Sequence, residues 1–179
     1  MADRKTMESI FTKNSCTDFK WMDPHEVIVS SWVRFKCMFG CKEYGRAAAC
    51  PPNLPARDDC ERFFAEYGEA ALFHFENVLE DPEDRHVWTK GINDSLLAVE
   101  REVFLAGHYK AIVIYVDPCN ICGECVPDKS DCRHPQEARP SLEGLCIDVF
   151  ETVRKQGYEI GVLTDYDQKM NRYGMLLIE

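Results

Sequence analysis

The chain has no dense stripe of lysine and arginine, and its formal net charge is −10, so the electrostatic footprint of a phosphate-backbone binder is missing. Nucleic acid is therefore not expected as a partner. Its longest strongly apolar run, Ala111 to Val116, falls far short of the roughly 20 residues that cross a bilayer, so no membrane is expected either. The opening residues Met1-Ala-Asp-Arg-Lys-Thr-Met-Glu-Ser-Ile10 lack the apolar core of a secretory signal, which makes a cytoplasmic location the default expectation. Also missing are internal repeats, low-complexity tracts, a nucleotide-binding glycine loop, a serine nucleophile elbow and the paired histidines of zinc proteases. With 179 residues, 45% hydrophobic and 29% charged, disorder is excluded and one folded unit is expected.

Against these absences stand ten cysteines. Where thiols are kept reduced, that count points to metal ligation or redox chemistry; in a secreted chain it would point to disulfides. The densest stretch is Cys119-Asn-Ile-Cys122-Gly-Glu-Cys125, with Cys132-Arg133-His134-Pro135 following. Three cysteines at two-residue spacing can wrap a cubane so that each thiolate reaches a different iron, with a more distant cysteine completing the set. Zinc is the alternative, although zinc modules usually bring their ligands as two separated pairs.

A first group precedes it: Cys37, Cys41 and Cys50-Pro51-Pro52. Proline after a ligand cysteine also ends the bacterial ferredoxin run, and it removes a backbone donor beside the site. Three ligands leave two options. Either Cys16, Cys60 or Cys146 supplies a fourth, or one iron stays open to substrate. Cys60 and Cys146 lie within expected helices, where a small buried hydrophobe is the simpler role. Tyr44, Arg133 and Arg139 are candidates to donate hydrogen bonds to cluster sulfurs and tune the potential. Arg34 and His134 are open to the same reading; all five are equally open to plain surface or helix-end roles.

Residues 1–24 read as a polar lead-in and residues 25–179 as a single cysteine-rich domain. Glu26 to Phe35 is rich in β-branched and aromatic residues and predicts a strand. A helix is expected from Asp59 to Tyr67 and a short strand from Ala70 to Phe75. Asp81-Pro82 opens a longer helix with a stripe of Val87/Trp88, Ile92, Leu96, Val99 and Val103, closed by Gly107. Ala111–Val116 suits a central strand, and the cysteine loop begins just past its carboxyl end, where sites in open sheets commonly sit. Ser141 is expected to cap a helix through Glu143, Ile147, Phe150 and Val153 that ends near Gly157. Tyr173 to Ile178 reads as a final strand at or near a sheet edge. The fold class expected is α/β or α+β: a small mixed sheet flanked by helices, with the cysteine loops gathered at one end.

Trp32-Val-Arg34-Phe-Lys36-Cys37-x3-Cys41-x2-Tyr44-Gly45-Arg46-x3-Cys50-Pro51-Pro52, with Cys119-x2-Cys122-x2-Cys125-x6-Cys132-Arg133-x-Pro135-x3-Arg139-Pro140-Ser141-x-Glu143 and Ile147-Asp148-Val149, resembles the prokaryotic cysteine-rich predicted metal-binding proteins grouped as domain of unknown function 2284. The resemblance implies metal binding by Cys37, Cys41, Cys50, Cys119, Cys122, Cys125 and Cys132, in bacteria or archaea and often in anaerobes. It implies no particular activity. One position departs from the pattern: glycine usually precedes Ile-Asp-Val, and this chain has Cys146 there.

The leading expectation is one or two [4Fe–4S] clusters passing electrons between redox protein partners. Cys119, Cys122, Cys125 and Cys132 would hold one cluster, and Cys37, Cys41 and Cys50 the second or a share of the first. The alternatives are an enzyme using an open-site cluster, for reductase or desulfidase-like chemistry, and a structural zinc protein.

Overall fold

The computed structural model describes residues 3–165 and 167–179. Four strands, β1 (Phe19–Met22), β2 (Ala70–Asn77), β3 (Ile112–Ile114) and β4 (Met170–Leu177), form one sheet in the order β1-β2-β4-β3. The α/β class holds. Every ladder is antiparallel, and parallel pairing among the described residues is confined to an isolated bridge from Tyr115 to Ser141.

The sheet is covered on both faces, which follows from the two-residue period of its side chains. Ala71, Phe73, Val113, Leu176 and Ile178 join one core with Met7 and Phe11 of α1 (Arg4–Lys13) and Ile92, Leu96, Val99 and Val103 of α4 (Arg85–Leu105). Ala70, Leu72, Ile114, Met175 and Leu177 turn the other way. They meet Cys60 and Phe64 of α3 (Arg57–Phe64) and Val153 of α5 (Val149–Lys155). Shifting β4 by one residue would exchange its two faces, so the register is fixed by burial on both sides.

The helix with the Ile92–Val103 stripe forms as expected and ends at Gly107, whose φ is +108°. Other expectations are corrected. The first 24 residues are no loose lead-in, because Met7, Phe11 and Cys16 are fully enclosed and Asp3 caps α1. Glu26 to Phe35 is not a strand. A short 3-10 turn (Pro24–Glu26) and a single Val29–Ile147 bridge lead into helix α2 (Ser31–Gly40). Trp32, Phe35 and Phe39 recur at helical spacing, but they stay exposed, so composition argued for strand where the chain forms a helix with little burial.

The two late strands exchange places: β4 is central, with β2 and β3 on either side, and β3 is an edge strand. A Cβ on Gly174 would lie 2.7 Å from Leu96 Cδ1 and 3.2 Å from the Ile114 carbonyl, so the bare backbone of β4 is what lets β3 and α4 close on it. The expected helix from Ser141 is split in two. Ser141 Oγ accepts the Gly144 N–H at 3.2 Å and closes only a 3-10 turn (Glu143–Leu145). Cys146 then adopts φ +64°, and Asp148 caps α5 afresh by accepting the Glu151 N–H at 3.1 Å.

Candidate metal centre

The carboxyl end of β3, the amino end of β4 and the first turns of α4 meet at one end of the sheet, and the second cysteine loop leaves from there. Antiparallel pairing of Ile114 with Met175 sets residues 116–117 level with 172–173. The Arg172 Nε accordingly lies 3.3 Å from Asp117 Oδ1. From this corner residues 117–135 run through bends and one 3-10 turn (Lys129–Asp131).

Buried polar residues of α4 anchor the loop. Asn93 accepts the Val116 N–H on its Oδ1 at 3.2 Å and donates from Nδ2 to Asn120 Oδ1 at 3.2 Å. Asn120 in turn donates to Thr89 Oγ1 at 3.2 Å. Thr89 and Asn93 are 0% and 1% exposed, so these bonds satisfy groups that burial would otherwise leave costly. The sequence reading missed them. Their signal was two polar residues four apart on the apolar stripe of α4.

Cys37 lies in the last turn of α2 and Cys41 caps its end, the Cys41 N–H reaching the Cys37 carbonyl at 3.3 Å. Cys50 follows through a series of turns closed by Gly45 N–H to the Pro51 carbonyl, 2.9 Å. Asn53 joins this loop to the other: its Nδ2 donates to the Pro127 carbonyl at 2.7 Å and to the Ala47 carbonyl at 3.3 Å.

The thiols sense one another. Burial pushes Cys50 up to about 11, and the charges of Cys41, Cys37, Cys125 and Cys119 push in the same direction. Cys50 therefore lies within electrostatic reach of members of both groups. Cys119 is raised by burial, opposed by hydrogen bonds from the Ile121 and Arg139 backbone N–H groups, and raised further by Cys125 and Cys132. Burial and then Cys41 raise Cys37, while Arg34 lowers it. Cys122 is half-buried in the same loop as Cys119, and Cys41 is exposed.

All ten cysteines carry free thiols. Among the described residues no three Cys, His, Asp or Glu side chains stand close enough to hold one ion between them. Closure of either group on a metal therefore requires its loop to move. The donor set itself fits a thiolate-bound metal. Seven free thiols lie in two groups, at the end of α2 and in the irregular loops that follow α2 and β3, and backbone N–H groups of Ile121 and Arg139 oppose the effect of burial on Cys119.

The remaining candidates have structural partners. Arg139 forms a largely buried ion pair with Glu100, its Nε 2.9 Å from Oε2, and Glu100 also accepts the Val113 N–H at 2.6 Å. Only the Arg139 backbone N–H faces a sulfur. Arg133 donates to the Glu124 carbonyl and so braces the loop across its own span. His134 pairs with Glu137 at 3.2 Å. Tyr44 sits half-buried in the turn after Cys41, its N–H on the Cys41 carbonyl at 3.2 Å. Arg34 donates from Nε to Cys146 Sγ at 3.3 Å and from Nη2 to the carbonyls of Pro55 and Gly144.

Cys16, Cys60 and Cys146 are buried. Cys16 lies in the α1-side core, and Cys60 lies on the opposite face, where burial, and then the charge of Cys146, push its thiol up to about 11.

A family model described as predicted metal-binding protein (DUF2284) matches residues 20–178 of the chain. No curated protein and no solved structure matches it.

Proposed function

Since the chain belongs to the DUF2284 family of predicted metal-binding proteins, we propose that its two cysteine groups hold iron as one or two [4Fe–4S] clusters and that it carries electrons between redox proteins in the cytoplasm. Cys119, Cys122, Cys125 and Cys132 hold one cluster. Cys37, Cys41 and Cys50 hold a second or share the first. The observation that carries this reading is the Cys119–Cys125 loop: three thiols at two-residue spacing, with the backbone N–H groups of Ile121 and Arg139 opposing the effect of burial on the first thiol. Such N–H donors favour the thiolate and raise the potential of a bound cluster. When bound, a cubane supplies one-electron chemistry at a potential the protein sets.

The protein's part is to position and insulate. Asn93, Asn120 and Thr89 fix the start of the loop on α4, the Arg139–Glu100 pair holds its far end, and Asn53 ties the first loop to Pro127. The exposed Cys41 brings a ligand sulfur to the surface, where a partner can accept an electron.

The test is the content of iron, zinc and acid-labile sulfide in protein purified without oxygen, with absorption and paramagnetic resonance spectra before and after reduction. About four or about eight irons with equal sulfide are expected, for one or two cubanes. Colourless protein carrying zinc without sulfide overturns the proposal.

A further inference from the structure

A cleft of about 570 Å³ opens beside the first cysteine group, with Cys37 and Cys41 on its rim. Its walls are apolar, formed by Trp32, Ile147, Phe150 and Val162 among others, and its polar groups are few: Lys36, Asp117, Glu143, Asn171 and Arg172. A mostly apolar hollow of this size with a few convergent polar groups has the build of a small-molecule site.

The polar end has unused donors. Asp117 is flanked by two arginines, Arg172 with Nε at 3.3 Å and Arg85 with Nε at 3.8 Å. Neither of these buried nitrogens makes a hydrogen bond among the described residues. The other Arg172 contacts are the Asn171 carbonyl at 3.0 Å and the Met170 thioether at 3.9 Å. A guanidinium carries five N–H donors, so this one is short of acceptors, and buried donors in native structures are nearly always paired. Arg172 also lines a second hollow of about 280 Å³ with Arg85, Leu163 and Met170, so its head stands between two open spaces. Lys36 adds a cation, its Nζ 5.6 Å from the Trp32 ring centroid.

We propose that the cleft binds a small organic carboxylate, with its charged group on Arg172 and its apolar body against Trp32, Ile147 and Phe150. The negative side chain of Asp117 beside Arg172 selects a single charge over a dianion such as phosphate. The inference concerns the cleft alone and holds whichever metal the thiols take. A ligand so placed lies against Cys37 and Cys41.

The test titrates the full-length chain, as purified and again after chelation, with 3-phenylpropanoate, its amide, 3-phenylpropylamine and inorganic phosphate. Binding is followed by calorimetry and by the nuclear magnetic resonance shifts of the Trp32 indole N–H and the amides of residues 160–163. The carboxylate should bind and move these signals, with the amide, amine and phosphate about tenfold weaker or worse. Arg172→Gln should remove that preference for carboxylate over amide. Since Arg172 also braces β4, Val162→Asp provides a second variant at a wall residue 79% exposed; it should weaken the carboxylate and spare the amine. Equal binding of carboxylate and amide, preference for the amine, tighter binding of phosphate, or no binding by any probe overturns the proposal.

Discussion

Four turns of helix close with the same backbone device, and only two of them carry the residue it favours. In each, a left-handed residue lets the next N–H reach back five residues: Gly107 with His108 to Val103, Gly157 with Tyr158 to Val153, Ser15 with Cys16 to Phe11, and Cys146 with Ile147 to Leu142. A Cβ in this conformation costs about 1–2 kcal/mol. Ser15→Gly should therefore raise stability by about 1 kcal/mol, read as a higher urea midpoint at unchanged slope. Cys146 differs because its buried thiol takes the Arg34 Nε–H. Cys146→Gly relieves the backbone but loses that contact, so stability should change by less than about 1 kcal/mol, and Cys146→Ala, which keeps the strain and loses the contact, should be the less stable of the two. The glycine expected before Ile-Asp-Val is thus explained by backbone shape, which spacing alone did not reveal.

Cys16 adds a pH effect at the same scale. Burial pushes its thiol from the ordinary 9.0 up to about 12. The folded chain then holds the proton more tightly than the unfolded one, so the contribution is whole below pH 9 and drains away as pH rises toward 12. The loss approaches about 1.4 kcal/mol per pH unit in that window. Urea midpoints measured under reducing conditions between pH 8.5 and 10.5 should fall more steeply for the natural chain than for Cys16→Ala.

Among the elements, α4 carries the most consequence for the candidate metal centre. One face buries Ile92, Leu96, Val99 and Val103, and the same stripe, continued toward the helix start, places Thr89 and Asn93 under the cysteine loop. Asn93→Ala removes the acceptor of the Val116 N–H and the donor to Asn120 Oδ1 and should destabilise the chain by about 1–3 kcal/mol. Because Asn120 lies between Cys119 and Cys122, metal affinity should also fall about 10- to 100-fold, as for other partners that orient ligands. Competition with a chelator measures this. A variant with the stability loss and unchanged metal affinity would show that Asn93 supports the fold alone. The stripe of α4 was legible because Trp88, Ile92, Leu96, Val99 and Val103 recur at helical spacing over more than four turns, which outweighs any local ambiguity. The helix α2 was not, since β-branched Val27 and Val29 and aromatic Trp32 and Phe35 argue for strand by composition, and its buried side amounts to Val33. Nor does an apolar run say where a strand stands in a sheet: Ala111–Val116 looked central, yet the eight-residue ladder of β4 with β2 and the bare backbone at Gly174 put β4 in the middle.

In the whole molecule the two cores lie on either face of the sheet, and none of the seven motif cysteines is fully buried in them. The sequence made the cysteine spacing and the two groups visible, but not that Asn53 bridges their loops or that Cys50 senses the charge of both, since contacts between distant segments leave no periodic trace. This separation of core and cysteine loops predicts what metal removal does. In small zinc modules the metal supplies the folding energy and its loss unfolds the chain. Here β2, β4 and α4 are packed without it, so chelation should leave their slow amide exchange unchanged and the unfolding transition cooperative. Residues 41–56 and 117–135, which are turns and bends, should exchange faster as the thiols part. Hydrogen exchange followed by mass spectrometry, before and after chelation under reducing conditions, resolves these segments. Loss of protection across the sheet as well would mean that the cysteine loops hold the cores together, and would turn the reading toward a structural metal.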